Sequence, residues 1–133
     1  MTAEIELFVV GAHLTGMALN KDLVALGGRF QRAVCTAPDY RFFALPNTTP
    51  PKPGMIFSPG SNGPGIAGEV WALPPDGFGK FVAAIPAPLG IGKVALADGS
   101  TVSGFLCEAY AVADALDITR FGGWRAYREA PPV

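Results

Sequence analysis

Ile5-Glu6-Leu7-Phe8-Val9-Val10-Gly11-Ala12-His13-Leu14-Thr15-Gly16 is the stretch on which the fold turns. Residues 5–10 are apolar apart from Glu6 and rich in β-branched and aromatic side chains. They read as a buried first strand that ends at Gly11. Residues 11–19 fit neither the strand period nor the helix period, so a loop follows the strand. Asn20 can then cap a helix through its side chain. Leu19, Leu23 and Leu26 recur at helical spacing, and Gly27-Gly28 stops the helix.

Working outward, residues 30–36 and 41–45 read as two strands. The turn chemistry of Ala37-Pro38-Asp39 between them predicts a hairpin. Residues 46–64 are dominated by Pro, Gly, Ser, Asn and Thr, with a short strand at Met55-Ile56-Phe57. A loop this long inside a compact domain is usually functional or mobile. Residues 66–73 form a further strand, which Pro74-Pro75 ends. A short helix opens at Pro75-Asp76 and carries an apolar face of Phe78, Phe81, Val82 and Ile85. Residues 91–96 and 101–106 are two strands joined through Asp98-Gly99, the strongest hairpin signal in the chain. A helix is expected over residues 109–115 and a short turn at residues 117–119. Gly122-Gly123-Trp124 then interrupts the end of the fold.

The chain has 133 residues, half of them hydrophobic and only 16% charged. That suits one domain with one core, assigned to residues 1–128, with residues 129–133 as a loose tail. Strands with inserted helices give an α+β class: a mostly antiparallel sheet, closed into a small barrel, with short flanking helices. The net charge of −1 argues against nucleic acid and anionic membranes as partners. No segment is apolar for long enough to span a bilayer. The acidic start does not read as a signal peptide. Cys35 and Cys107 sit in apolar stretches outside any metal-spacing motif and read as two buried, reduced thiols. These features together point to the cytoplasm.

The loop Gly11-Ala12-His13-Leu14 lies between a buried strand and a helix. Such a turn can aim several backbone N–H groups at one point and so cradle a small anion. Set against this, a glycine after a strand is most often only a turn. His13 is the only histidine. It is either a proton donor and acceptor or a plain loop histidine; without companions in sequence it gives no support to a metal site. Strand alternation puts Glu69 on the same face as Trp71. If that face is inside, Glu69 needs a partner such as Arg41 or His13. Arg41 is either a ligand-binding fork or a structural cation paired to Glu69 or Glu108. Tyr40 and Asn20 are second-tier candidates, Asn20 chiefly as a cap. Trp124 and Tyr127 read as packing.

Several blocks taken together resemble the C-terminal domain of allophanate hydrolase. They are Val10-Gly11-Ala12-His13-Leu14-Thr15-Gly16-Met17-Ala18-Leu19-Asn20, Thr36-Ala37-Pro38-Asp39-Tyr40-Arg41, Pro50-Pro51-Lys52-Pro53-Gly54, Gly68-Glu69-Val70-Trp71-Ala72-Leu73-Pro74, Phe81-Val82-Ala83-Ala84-Ile85-Pro86-Ala87-Pro88-Leu89-Gly90-Ile91-Gly92, Asp98-Gly99, Gly104-Phe105-Leu106-Cys107-Glu108 and Asp117-Ile118-Thr119-Arg120-Phe121-Gly122-Gly123-Trp124-Arg125-Ala126-Tyr127. The resemblance implies a γ-glutamylcyclotransferase-like fold, a small β-barrel with flanking helices. Two departures matter. The serine-and-lysine amidase half of allophanate hydrolase is not in these residues. The acid that γ-glutamylcyclotransferases use is also missing, because Ala84-Ile85-Pro86-Ala87-Pro88 stands in its place; that activity is not expected here.

What the resemblance implies about function is specific. The amidase half leaves N-carboxycarbamate, and the C-terminal domain is the part proposed to help it lose carbon dioxide. Donors at Gly11, Ala12 and Leu14, a fork at Arg41 and a proton from His13 would meet that need, with Tyr40 and Glu69 beside them. The ligand would be a small carboxylate, with no cofactor and no metal. The competing reading is a non-catalytic module that binds a separate amidase subunit or a second copy of itself.

Overall fold

The computed structural model describes residues 3–130. β1 (Ile5–Val9) is a central strand of a five-stranded sheet. The others are β2 (Arg29–Cys35), β5 (Ala67–Leu73), β6 (Leu89–Ala95) and β7 (Thr101–Cys107), in the order β2-β5-β1-β7-β6. β1 runs antiparallel to β5 and parallel to β7; the remaining pairs are antiparallel. A central strand is covered on both faces, which is why Leu7, Phe8 and Val9 are all buried instead of alternating. β3 (Tyr40–Ala44), β4 (Pro53–Phe57) and the two-residue β8 (Leu116–Asp117) form a second, three-stranded sheet. One buried cluster joins Phe8 and Val70 of the large sheet to Phe42 and Met55 of the small one.

The α+β class and the mainly antiparallel pairing hold. The closed barrel does not. The strands divide into two sheets, and the outer strands of the large sheet meet at one corner only. There Thr36 bridges Leu96, flanked by hydrogen bonds from Ala97 N to Cys35 O and from Ala37 N to Ala95 O.

The expected hairpin between β2 and β3 is also absent. β2 pairs with β5, while β3 pairs with β4 and β8. Turn chemistry fixes a change of direction but not a pairing partner. Here the turn bonds elsewhere: Pro38 O accepts from Gly63 N, and Asp39 accepts from Ser58 and Gly60. The segment therefore carries the chain from one sheet to the other. By contrast, the Asp98-Gly99 hairpin forms between β6 and β7, with Gly99 at φ +91° where other residues are strained.

α1 (Asn20–Ala25) and α2 (Pro75–Ala83) form where the apolar spacing predicts them. Asn20 does not cap α1; Leu19 holds the cap position, without a side-chain bond. Residues 109–115 give a single 3-10 turn, Ala109–Val112, and residues 117–119 run from the end of β8 into a second such turn, Thr119–Phe121. The unpredicted helix is α3 (Trp124–Glu129), which buries Trp124. Glu129 thus belongs to α3 and not to a tail; residues 131–133 of the expected tail lie outside the described residues. Both cysteines are free thiols; Cys35 is exposed because it lies on the edge strand β2, and Cys107 at the end of β7 is half-buried. Among the described residues, no helix is long and apolar enough to cross a membrane.

Candidate functional site

β1 delivers the loop of residues 11–14 onto the small sheet. A Cβ on Gly11 would stand 2.3 Å from Pro53 Cδ, so only glycine permits this approach. The loop is then braced from within. Leu14 N donates to Gly11 O at 3.0 Å, and Leu19 N donates to Ala12 O at 2.8 Å. Asn20 Nδ2 donates to His13 O at 2.8 Å, so the predicted cap is a brace for the histidine instead. Among the described residues, the N–H groups of Ala12 and His13 donate to no protein acceptor.

His13 projects into a cavity of about 410 Å³ between α1, α2 and β7. Its ring stacks on Phe105 at 5.2 Å and meets the edge of Phe81 at 4.9 Å. Neither ring nitrogen bonds to protein among the described residues, and no buried side-chain nitrogen or oxygen is left without a partner. The nitrogens therefore keep accessible surface, on a side chain that lines the cavity. Burial between the two rings pushes His13 down to about 4, helped by the charge of Lys52 and opposed by Asp22. The imidazole is neutral at neutral pH.

Lys52 shares the cavity wall. Its backbone is held on both sides, N to Thr48 Oγ1 at 2.9 Å and O from Leu45 N at 3.1 Å. Its side chain makes no ion pair among the described residues. Lys52 stands between two prolines in sequence, but nothing in its spacing linked it to His13; only the approach of β4 to the loop does so. Phe81 and Phe105 were likewise legible as apolar positions and not as the histidine's walls.

The other anticipated site residues lie elsewhere. Arg41 pairs with Asp117 and lies over Phe43, so neither Glu69 nor Glu108 is its partner. Tyr40 is buried, with its hydroxyl accepting from Ala95 N at 2.9 Å. Glu69 does face inward with Trp71, but its partners are Thr15, Trp71 and Arg125. It lines a separate space of about 290 Å³, together with Leu14 and Trp124. Gly11 and Ala12 line a small space of about 20 Å³ that adjoins the main cavity at His13 and Lys52. Among the described residues, no three His, Cys, Asp or Glu side chains converge as a metal site would require.

A glycine-tethered loop, a lone histidine open to a cavity and two flanking phenylalanines make a specific arrangement. Residues 5–129 match the allophanate hydrolase C-terminal domain. The chain belongs to that family. It is 40% identical over 131 residues to urea amidolyase of Saccharomyces cerevisiae, covering 96% of this chain and 7% of that protein. The crystal structure of Kluyveromyces lactis allophanate hydrolase superposes with a TM-score of 0.90 at 39% identity, over 95% of this chain and 21% of that one. The chain thus spans only a small part of these relatives. A structure of c4763, described as a uropathogenic E. coli-specific protein, matches along its whole length, with a TM-score of 0.88, 35% identity and 99% of this chain covered. A γ-glutamyl cyclotransferase at 15% identity and TM-score 0.57, covering 86% of this chain and 69% of that one, shares the fold alone.

Proposed function

We propose that this domain assists the loss of carbon dioxide from N-carboxycarbamate, or a similar small nitrogenous dicarboxylate, in the His13 cavity. The observation that carries the reading is the pair of unbonded His13 ring nitrogens, on a side chain that lines a cavity together with Lys52. Lys52 and the free N–H groups of Ala12 and His13 would hold one carboxylate. This assigns to Lys52 the electrostatic role first given to Arg41, while Tyr40 and Glu69 serve as supports.

The step is a decarboxylation. The bond between nitrogen and the departing carboxyl carbon breaks, its electron pair stays on nitrogen, carbon dioxide leaves, and one proton is added to nitrogen to give carbamate. A neutral His13 has no proton to spare as an imidazolium. A bound dianion raises its pKa, so the proton donor forms with the complex. The test is carbon dioxide release when the purified chain is added to the amidase half of an allophanate hydrolase, with His13→Ala beside it. Acceleration lost in the variant supports the reading; no acceleration by the intact chain overturns it.

The second reading, a module that binds an amidase subunit or itself, is favoured by Phe30, Phe57 and Leu116, each about half exposed or more on strand edges. Co-elution with that amidase half, or self-association on size exclusion, is its test.

A further inference from the structure

The His13 cavity is larger and more apolar than a ligand built of two carboxylates and a nitrogen requires. It is a half-open cleft of about 410 Å³. A space of about 150 Å³ suffices for benzene, whose bulk is close to that of N-carboxycarbamate. The two ends of the cavity differ. At the loop end, His13 and Lys52 also border the small space under Val10, Gly11 and Ala12, so the polar donors gather there. At the other end, Leu19, Ala25 and Leu26 of the α1 region face Ala84, Ile85 and Pro86 at the close of α2. These offer a ligand hydrocarbon and no donor beyond the main chain. Asp22 and Lys80, both exposed, also line the cavity with opposite charges and so add no net attraction for a second anion.

We infer that the cavity takes a carboxylate bearing an apolar substituent, its carboxylate against Lys52 and His13 and an aryl or branched alkyl group between α1 and the end of α2. This rests on the proposed use of the His13 cavity and goes beyond the dicarboxylate reading by adding a second ligand class for the same site. Charge alone would select acetate and phenylacetate equally. The apolar end adds a driving force that only the substituted acid can use. It also sets a direction, because a substituent cannot point into the space under Gly11, which is too small for it.

Calorimetric titration of the full chain with acetate, phenylacetate, benzyl alcohol and malonate tests this. Phenylacetate should bind at least about tenfold more tightly than either acetate or benzyl alcohol, since it alone uses both ends. Ala84→Phe, which fills the apolar end from an exposed position, should remove most of that advantage, and Lys52→Gln should weaken phenylacetate as well. Equal affinity for acetate and phenylacetate overturns the inference, as does an Ala84→Phe variant that binds phenylacetate unchanged. Malonate separates the two levels. If malonate binds and phenylacetate gains nothing over acetate, the apolar ligand class fails and the dicarboxylate reading stands. If no acid binds, both fall.

Discussion

Glu69 Oε1 accepts from both the N–H and the hydroxyl of Thr15, each at 2.9 Å, and so ties the residue two positions past His13 to β5. Arg125 of α3 closes the clamp, donating to Thr15 O at 2.6 Å and to Glu69 Oε2 at 3.3 Å. Burial pushes the Glu69 carboxyl up, but the bonds from Thr15, Trp71 and Arg125 outweigh it and hold the group below its ordinary value. Its stabilisation is therefore present above the ordinary carboxylate range and is lost as pH falls through the lowered value. Glu69→Gln should cost about 2 kcal/mol at neutral pH, read by urea denaturation, because charge-assisted bonds become neutral ones. A variant as stable as the parent would show that the clamp is idle.

His13 has the same sign of pH dependence for a different reason. Its pKa falls from 6.5 when unfolded to about 4 when folded. Between those values the unfolded chain binds the extra proton, so stability drops as pH falls from 6.5 and levels off below 4. The loss is at most about 3 kcal/mol. The parent should lose stability relative to His13→Phe as pH falls across that window, read from denaturation midpoints, and parallel curves would contradict the burial of the ring.

Lys52 lowers the His13 pKa through its charge. Lys52→Gln should raise it, as followed by the imidazole carbon-bound proton resonances in an NMR pH titration. An unchanged midpoint would place the ammonium too far from the ring to help hold an anion there.

Gly11→Ala should destabilise the domain by about 2 kcal/mol, as overpacked sites do, because the added carbon would sit 2.3 Å from Pro53 Cδ. Thermal melts check this. Pro53→Ala should recover part of the loss in the double variant, since it removes the ring atoms that clash.

Cys35 is exposed, whereas burial and the charge of Glu108 push the Cys107 thiol up. A thiol reagent at neutral pH should label Cys35 first, and Cys35→Ser should abolish the fast phase. Fast labelling of Cys107 would contradict its half-buried position.

Much of this was legible from the chain. Strand β1, the two leading helices and the Asp98-Gly99 hairpin follow from periodicity and local turn chemistry, which act over a few residues. His13 stood out by being alone. The partners of Glu69 and Arg41 were not legible, because Thr15, Arg125 and Asp117 reach them from 54, 56 and 76 residues away in sequence. Helix α3 was hidden behind two glycines that signal a break. Gly123 takes the cap position just before Trp124, so the pair starts a helix there and does not end the fold. Cys35 misled because an apolar neighbourhood in sequence says nothing about which strand becomes an edge.

The Thr36–Leu96 bridge fastens the large sheet like a single button at the end of an open seam. Behind it, β2 has β5 on one side and no strand partner on the other among the described residues. A foreign strand zipping onto that free edge could run from Arg29 toward Val34 but would be stopped at Cys35, whose carbonyl already accepts from Ala97 N. The fold thus carries its own ruler for a strand added at β2, shorter than the seven residues of β2 itself.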